Sequence, residues 1–348
     1  MIYFHNDYNA MGCDAVLNKM NAIAQERFGG YGMDTCCEKA AAMIRRLCGA
    51  EEAQVHFLVG GTQTNLTVIA ASLRPHQGVI GAETAHIHVH ETGAIEATGH
   101  KVIALPSADG KLTAAQVEEV VVSHRTSVDK EHMAQPKMVY ISNSTEVGTV
   151  YTKAELEELS RVCRKYGLFL FMDGARLSYA LTAADSDVTL EDLARLCDVF
   201  YLGGTKCGAM FGEAVVITNP AIAEDFRYMI KQRGGMLAKG WLLGAQFEAL
   251  LEDGLYFSMA EHANRLADRI RQTLETLGHP FLAENRTNQV FPILPDSMLE
   301  KLGEEFTFAE MGRVDDTHRA VRFCTSWASK EEDVAALCGA LQYHSENS

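Results

Sequence analysis

Apolar positions recur every three to four residues over 14–27 (DAVLNKMNAIAQER), and the run stops at Gly29, Gly30 and Gly32. Side chains at that spacing share one helix face, so the segment is predicted to be an amphipathic helix. A second helix is predicted over 34–48, with Asp34 or Thr35 as its N-cap and Gly49 as its stop. From residue 54 the pattern changes. Short, continuous apolar runs at 54–59, 79–82, 101–105, 137–142, 168–172 and 199–202 alternate with helical segments at 64–73, 88–98, 113–123, 153–166 and 189–196. A run at 213–218 reads as the return strand of a hairpin. Strands that are apolar on both faces and alternate with helices predict an α/β fold around a mostly parallel sheet. After about 220 long helices take over, including one over 241–277, with strand candidates at 288–294 and 320–325. The expectation is a large domain over 1–240 and a smaller α+β domain over 241–348, with no internal repeat.

Composition narrows the function. The chain has 348 residues, 31 Lys+Arg and 46 Asp+Glu, for a net charge of −15. That balance argues against nucleic acid, which needs clustered cations, but not against an anionic ligand in a locally positive pocket. The nine cysteines show no disulfide framework and no metal-finger spacing, as expected of a cytoplasmic protein with reduced thiols. No signal peptide is recognised at the start, and no apolar run approaches the roughly 20 residues that span a membrane.

Three segments carry candidate chemistry. In VGGTQTN (59–65), glycines at a strand-to-helix turn expose backbone N–H groups where the helix dipole favours an anion, and Thr62 adds a hydroxyl. The spacing is neither that of a P-loop nor GxGxxG, so a nicotinamide dehydrogenase is disfavoured. In LFLFMDGARL (168–177), Asp173 ends a buried strand, where open α/β sheets place their ligands, and Arg176 is one candidate partner for it. In YLGGTKCG (201–208), Lys206 follows a buried strand and a Gly-Gly-Thr turn. A desolvated lysine there has a lowered pKa and suits a Schiff base with a carbonyl. A Schiff-base lysine, an acid for a ring nitrogen and a phosphate cup are the parts that pyridoxal 5'-phosphate requires.

The segments HNDYNAMG, GYGMDTCCEKA, GGTQTNLTVIA, ETAHIHVHETGA, STEVGTVYT, MDGARLSYA, GGTKCGAMFGEAVV and VRFCTSW resemble, in order, those of the threonine aldolases. The resemblance runs from about residue 3 to 330 and implies a fold-type I PLP-transferase-like architecture. It implies Lys206 as the Schiff-base lysine, Asp173 as the ring-nitrogen carboxylate, and Gly61 and Thr62 as phosphate contacts. His86 matches an imidazole stacked on the cofactor and His132 a second active-site histidine. Arg176 and Arg322 match the arginines that hold the substrate carboxylate. Asn6 stands where many relatives have serine, which suggests a different contact to substrate or cofactor. Cys207 follows the lysine where small or amide residues are usual. The basic segment 226–240, with Lys231, Arg233 and Lys239, corresponds to one that nears a neighbouring subunit's phosphate. The implied activity is retro-aldol Cα–Cβ cleavage of threonine or allo-threonine to glycine and an aldehyde, in a homotetramer built as a dimer of dimers. No metal is implied. Within the same chemistry, a β-eliminating lyase or an aminotransferase is the alternative.

Overall fold

A computed structural model describes residues 1–346. Its centre is a seven-stranded sheet, in spatial order Gln54–Leu58, Glu213–Ile217, Val199–Gly203, Phe169–Asp173, Gln135–Ser142, Gln77–Ala82 and Val102–Leu105. The last five pair in parallel. Glu213–Ile217 runs against both of its neighbours. Phe171, Met172, Val199, Phe200, Val215 and Val216 have essentially no exposure, as expected of strands sandwiched between helices.

Local signals set several helix starts. Asp34 accepts a hydrogen bond from the Cys37 N–H and caps the helix Thr35–Leu47. Thr113, Thr152 and Thr189 each form a capping box with the third residue of the following helix. Three predicted helices differ, and the one expected over 88–98 is only the short helix His86–Val89 and the single turn Glu96–Thr98. The first spans only Asp14–Ala22. The long run over 241–277 is two helices, Trp241–Leu251 and Leu255–Thr276, because Asp253 and Gly254 turn left-handed between them.

The apolar interior divides further along the chain than the 240/241 boundary read from the pattern. Phe247, Leu250, Tyr256 and Ala263 belong to the large core, whereas Leu266, Ile270 and Leu274 open the second one. The helix Leu255–Thr276 thus serves both cores, and a composition shift at 240 could not reveal that. The second core lies under a small antiparallel sheet built around the strand His318–Cys324. The N-terminal arm closes the assembly. Ile2–Tyr3 pairs with Phe306–Thr307, Phe4 fills the second core, and Asp7 reaches back to the large domain.

Candidate active site

The cavity gathers at one edge of the central sheet, where the parallel strands end. Asp173 closes its strand, paired in register with Ser142 of the neighbour. Gly174 and Gly203 let this edge close up: a Cβ at Gly174 would stand 1.7 Å from the Tyr201 carbonyl oxygen, and one at Gly203 2.4 Å from that of Ala175. Here the backbone permits only glycine. Lys206 follows that turn, and the Tyr179 hydroxyl donates to its carbonyl at 2.6 Å. A cavity of about 200 Å³ gathers Gly60, Gly61, Thr62, His86, Asp173 and Lys206.

Burial, and after it the Arg176 charge, pushes the Lys206 amine below the usual lysine range, which favours the neutral nucleophile. Burial alone would raise the Asp173 pKa, but hydrogen bonds, that of Tyr140 first, hold it below the ordinary value. Its Oδ2 accepts from Tyr140 Oη at 2.5 Å and Asn65 Nδ2 at 3.1 Å, and its Oδ1 from the Ala175 N–H at 2.9 Å. Asp173 is therefore an anion at neutral pH.

Asp173 does not pair with Arg176. That arginine donates from Nε and Nη2 to Asp7 at 2.7 and 3.0 Å, and Asn288 Nδ2 adds a third bond to the same carboxylate at 3.0 Å. Arg176 lines the cavity, but the fork expected to grip a substrate carboxylate is occupied by Asp7. Arg322 is different. Nη1 donates to Gln289 and Nη2 to the His5 carbonyl, while Nε is buried without a partner. A buried guanidinium N–H left unpaired is costly unless a ligand meets it.

His86 lines the cavity with its Nδ1 held 2.8 Å from Glu91. His90, one turn on, brings its ring centroid within 5.5 Å of that of His86, whereas His88 is exposed on the other side of the turn. His132 is not part of the cluster. It lies in a short turn before Gln135, at the amino-terminal end of its strand and so across the sheet from Asp173. Its match rested on a polar loop, and the strand direction puts that loop at the wrong edge. Asn6 is half-buried and accepts from the Tyr8 N–H at 3.1 Å, capping its own turn. Its neighbour Asp7 is the arm's charged contribution to the site. Cys207 is a packing thiol: burial pushes it up to about 12, and Ser178 donates to its sulfur at 2.9 Å.

Four carboxylates or amides were not read from the pattern. Glu146 lines the cavity and accepts from the His86 N–H at 3.0 Å. Glu91 and Asn65 stand behind His86. Glu213 opens the reversed strand and therefore lies at the active edge, where its carboxyl accepts from the Thr205 hydroxyl at 2.8 Å and the Gly204 N–H at 3.1 Å. Burial pushes Glu213 up to about 8. Its folded-state pKa exceeds its unfolded one, so its contribution to stability is full below about 4.5 and is lost as pH rises toward 8. Accordingly, the thermal midpoint of the cofactor-free protein is expected to fall between pH 5 and 8, and Glu213→Gln to flatten that slope. An unchanged slope in the variant would refute the assignment.

The residues fit pyridoxal phosphate. The helix Gly61–Ser72 starts without a side-chain cap, which leaves its first N–H groups for an anion. A Cβ at Gly61 would crowd the Tyr201 hydroxyl at 3.2 Å. The Ser144 hydroxyl lines the same cavity, buried and unpartnered.

Known proteins resemble the chain in sequence and in fold. Residues 4–297 match the family model for beta-eliminating lyases. A low specificity L-threonine aldolase from a Pseudomonas strain is 33% identical over 322 residues, 90% of this chain and 89% of that one. The chain belongs to the beta-eliminating lyase family, among its threonine aldolases. A second relative, from Pseudomonas aeruginosa, is 32% identical over 88% of this chain and 87% of its own. The solved structure of Leishmania major threonine aldolase matches this family member at a TM-score of 0.97 with 45% identity, over 99% of this chain and 100% of that one. An aspartate aminotransferase from Thermus thermophilus, at 17% identity and a TM-score of 0.71, covers 99% of the chain and 91% of its own. It shares the fold alone, that of the fold-type I pyridoxal-phosphate enzymes.

Proposed function

We propose that the chain cleaves β-hydroxy-α-amino acids, threonine and allo-threonine among them, to glycine and an aldehyde with pyridoxal phosphate. One observation carries this reading: a desolvated lysine, an ionised aspartate, an uncapped helix N-terminus and an oriented histidine line a single cavity. Bound there, the cofactor supplies an electron sink for the pair left on Cα when the Cα–Cβ bond breaks. Lys206 would hold the cofactor through its neutral amine. Asp173, an anion, would be the residue that keeps the cofactor's ring nitrogen protonated. The N–H groups of Gly61 and Thr62, with the Thr62 hydroxyl, would hold the phosphate. His86 holds its proton on Nδ1, against Glu91, so Nε2 is free to take the proton of the β-hydroxyl. Arg322 supplies its unpaired Nε to the substrate carboxylate, while Arg176 shapes the pocket and depresses Lys206 from beneath.

Threonine incubated with the holoenzyme should yield acetaldehyde and glycine in equal amounts. Ammonia release would favour β-elimination, and dependence on a 2-oxo acid an aminotransferase. Arg322→Gln is expected to raise KM for threonine at least tenfold, the scale of about 1.5–3 kcal/mol for a hydrogen bond to a charged group, with a smaller change in kcat. An unaltered KM would remove Arg322 from substrate binding.

The oligomer belongs to the same reading: a homotetramer, dimer of dimers, located in the cytoplasm. Tyr31, Met33 and Tyr228 are exposed, at 48%, 71% and 76%, and Lys231 lies over the Tyr31 ring. That apolar and basic surface supports contact between subunits, with the 226–240 segment near a neighbour's phosphate. No helix among the described residues is long and apolar enough to cross a membrane. All nine cysteines are unpaired, in keeping with a reducing compartment. Light scattering is expected to return four times the 38.2 kDa chain mass; a monomer would contradict this part.

A further inference from the structure

Behind the cavity runs a continuous buried hydrogen-bonded chain. Tyr140 Oη donates to Asp173 Oδ2 at 2.5 Å, Asn65 Nδ2 donates to the same oxygen at 3.1 Å and to Glu91 Oε1 at 2.7 Å, and Glu91 Oε1 meets His86 Nδ1 at 2.8 Å. Asn65 has no exposure and Glu91 only 5%. The amide of Asn65 has two N–H donors, and each is spent on a carboxylate. Flipped, it would aim an oxygen at two anions, so its orientation is fixed by charge. Its own oxygen, like Glu91 Oε2, is buried without a partner. That cost is tolerated at functional sites and avoided elsewhere.

We propose that Glu91 and Asn65 are positioning residues, with Glu91 fixing the tautomer and angle of His86 and Asn65 tying that carboxylate to Asp173. An ionised carboxylate only accepts hydrogen bonds, so His86 bears its proton on Nδ1 and presents a basic Nε2 to the cavity. Glu91 also stabilises the imidazolium formed when Nε2 takes a proton. Asn65 holds the two carboxylates in fixed register, so the acid that serves the ring nitrogen and the base that serves the substrate move as one unit. The other ionisable groups facing His86 are Asp173 from its strand, Glu146 beneath the backbone N–H, His90 one turn on and Lys206 across the cavity. None of them meets His86 Nδ1.

The inference rests on the base role proposed for His86, and its test separates the two. In the cofactor-free protein, diethyl pyrocarbonate modifies unprotonated histidine, and tandem mass spectrometry resolves His86 from His88 and His90. With Glu91 Oε1 only 2.8 Å from His86 Nδ1, the pH midpoint of His86 modification is expected to fall in Glu91→Gln, as removal of an adjacent anion requires. Glu91→Asp, which keeps the charge one methylene further off, should fall by less, and it carries the test should Glu91→Gln fail to fold. In the holoenzyme, Glu91→Gln should lower kcat at least tenfold with KM within threefold. In a His86→Ala background it should cost less than twofold. Asn65→Ala combined with Glu91→Gln should cost less than the product of the single effects. An unmoved midpoint in both Glu91 variants, or an equal kcat loss with and without His86, overturns the proposal. A moved midpoint with unchanged kcat upholds the dyad and removes His86 from the reaction.

Discussion

Lys206→Ala is expected to abolish both turnover and the visible absorbance of bound cofactor. Removing a covalent nucleophile costs on the order of 10⁴-fold or more, because the remaining groups cannot take over its bond-forming role. The surroundings of Lys206 are built for that one amine. Burial and Arg176 depress its pKa, Tyr179 pins its carbonyl, and the glycines at 174 and 203 bring its strand end against that of Asp173. The variant should keep its fold, since alanine leaves the Glu213 bonds to Thr205 and Gly204 in place. Absorbance spectra with added pyridoxal phosphate and a coupled acetaldehyde assay check the result. Retention of more than a hundredth of the wild-type rate would show that Lys206 is not the nucleophile.

Asp7→Ala is expected to act on stability first and activity second. Asp7 is 1% exposed and the Arg176 side chain 12%. Deleting the carboxylate leaves a guanidinium buried against nothing, a loss of about 3–5 kcal/mol and a fall in melting temperature on the order of 10 °C. It also unties the N-terminal arm, whose His5 carbonyl holds Arg322, so KM for threonine should rise as well. The double variant Asp7→Ala/Arg176→Met, which removes both charges, should be more stable than Asp7→Ala alone. Burial by itself would raise the Asp7 pKa, but Arg176 and then Lys206 hold it far below the carboxylate range. Its folded-state pKa is thus below its unfolded one, so its contribution is complete above about pH 4 and is lost only as pH falls through strongly acid values. Differential scanning calorimetry from pH 5 to 8 checks this: the gap between wild type and Asp7→Ala should stay constant. A gap under 2 °C would refute the account.

Much of the site was legible in residue order. The turns around Asp173 and Lys206 announce themselves as a buried strand, a glycine and a lone charged side chain, because a charge at a strand end has few other uses. His86 and Arg322 were named through resemblance; the structure sets His86 in the cavity wall, whereas Arg322 lies on the strand His318–Cys324 with its Nε unpaired. Arg176 shows the limit. Three residues from Asp173, it invites a local pairing, yet its partner is Asp7, 169 positions away. His132 shows the converse: a match along the chain says nothing of which end of the sheet a loop occupies.

The sequence by itself determined the alternation of apolar strands and capped helices, and so the α/β class, the location of the lysine and aspartate at strand ends, and the family. Those are local properties: period, turn chemistry and short motifs. The tertiary structure alone decided which charges meet. Glu213 enters the site because its strand runs backward, so its first residue lies where the others have their last, and strand direction is a property of pairing. Asn65 and Glu91, 26 positions apart, share a hydrogen bond only because a helix and a turn from different strands fold over the same sheet edge. Electrostatics depends on distances of a few ångströms through a low-dielectric interior, and chain order does not encode those distances.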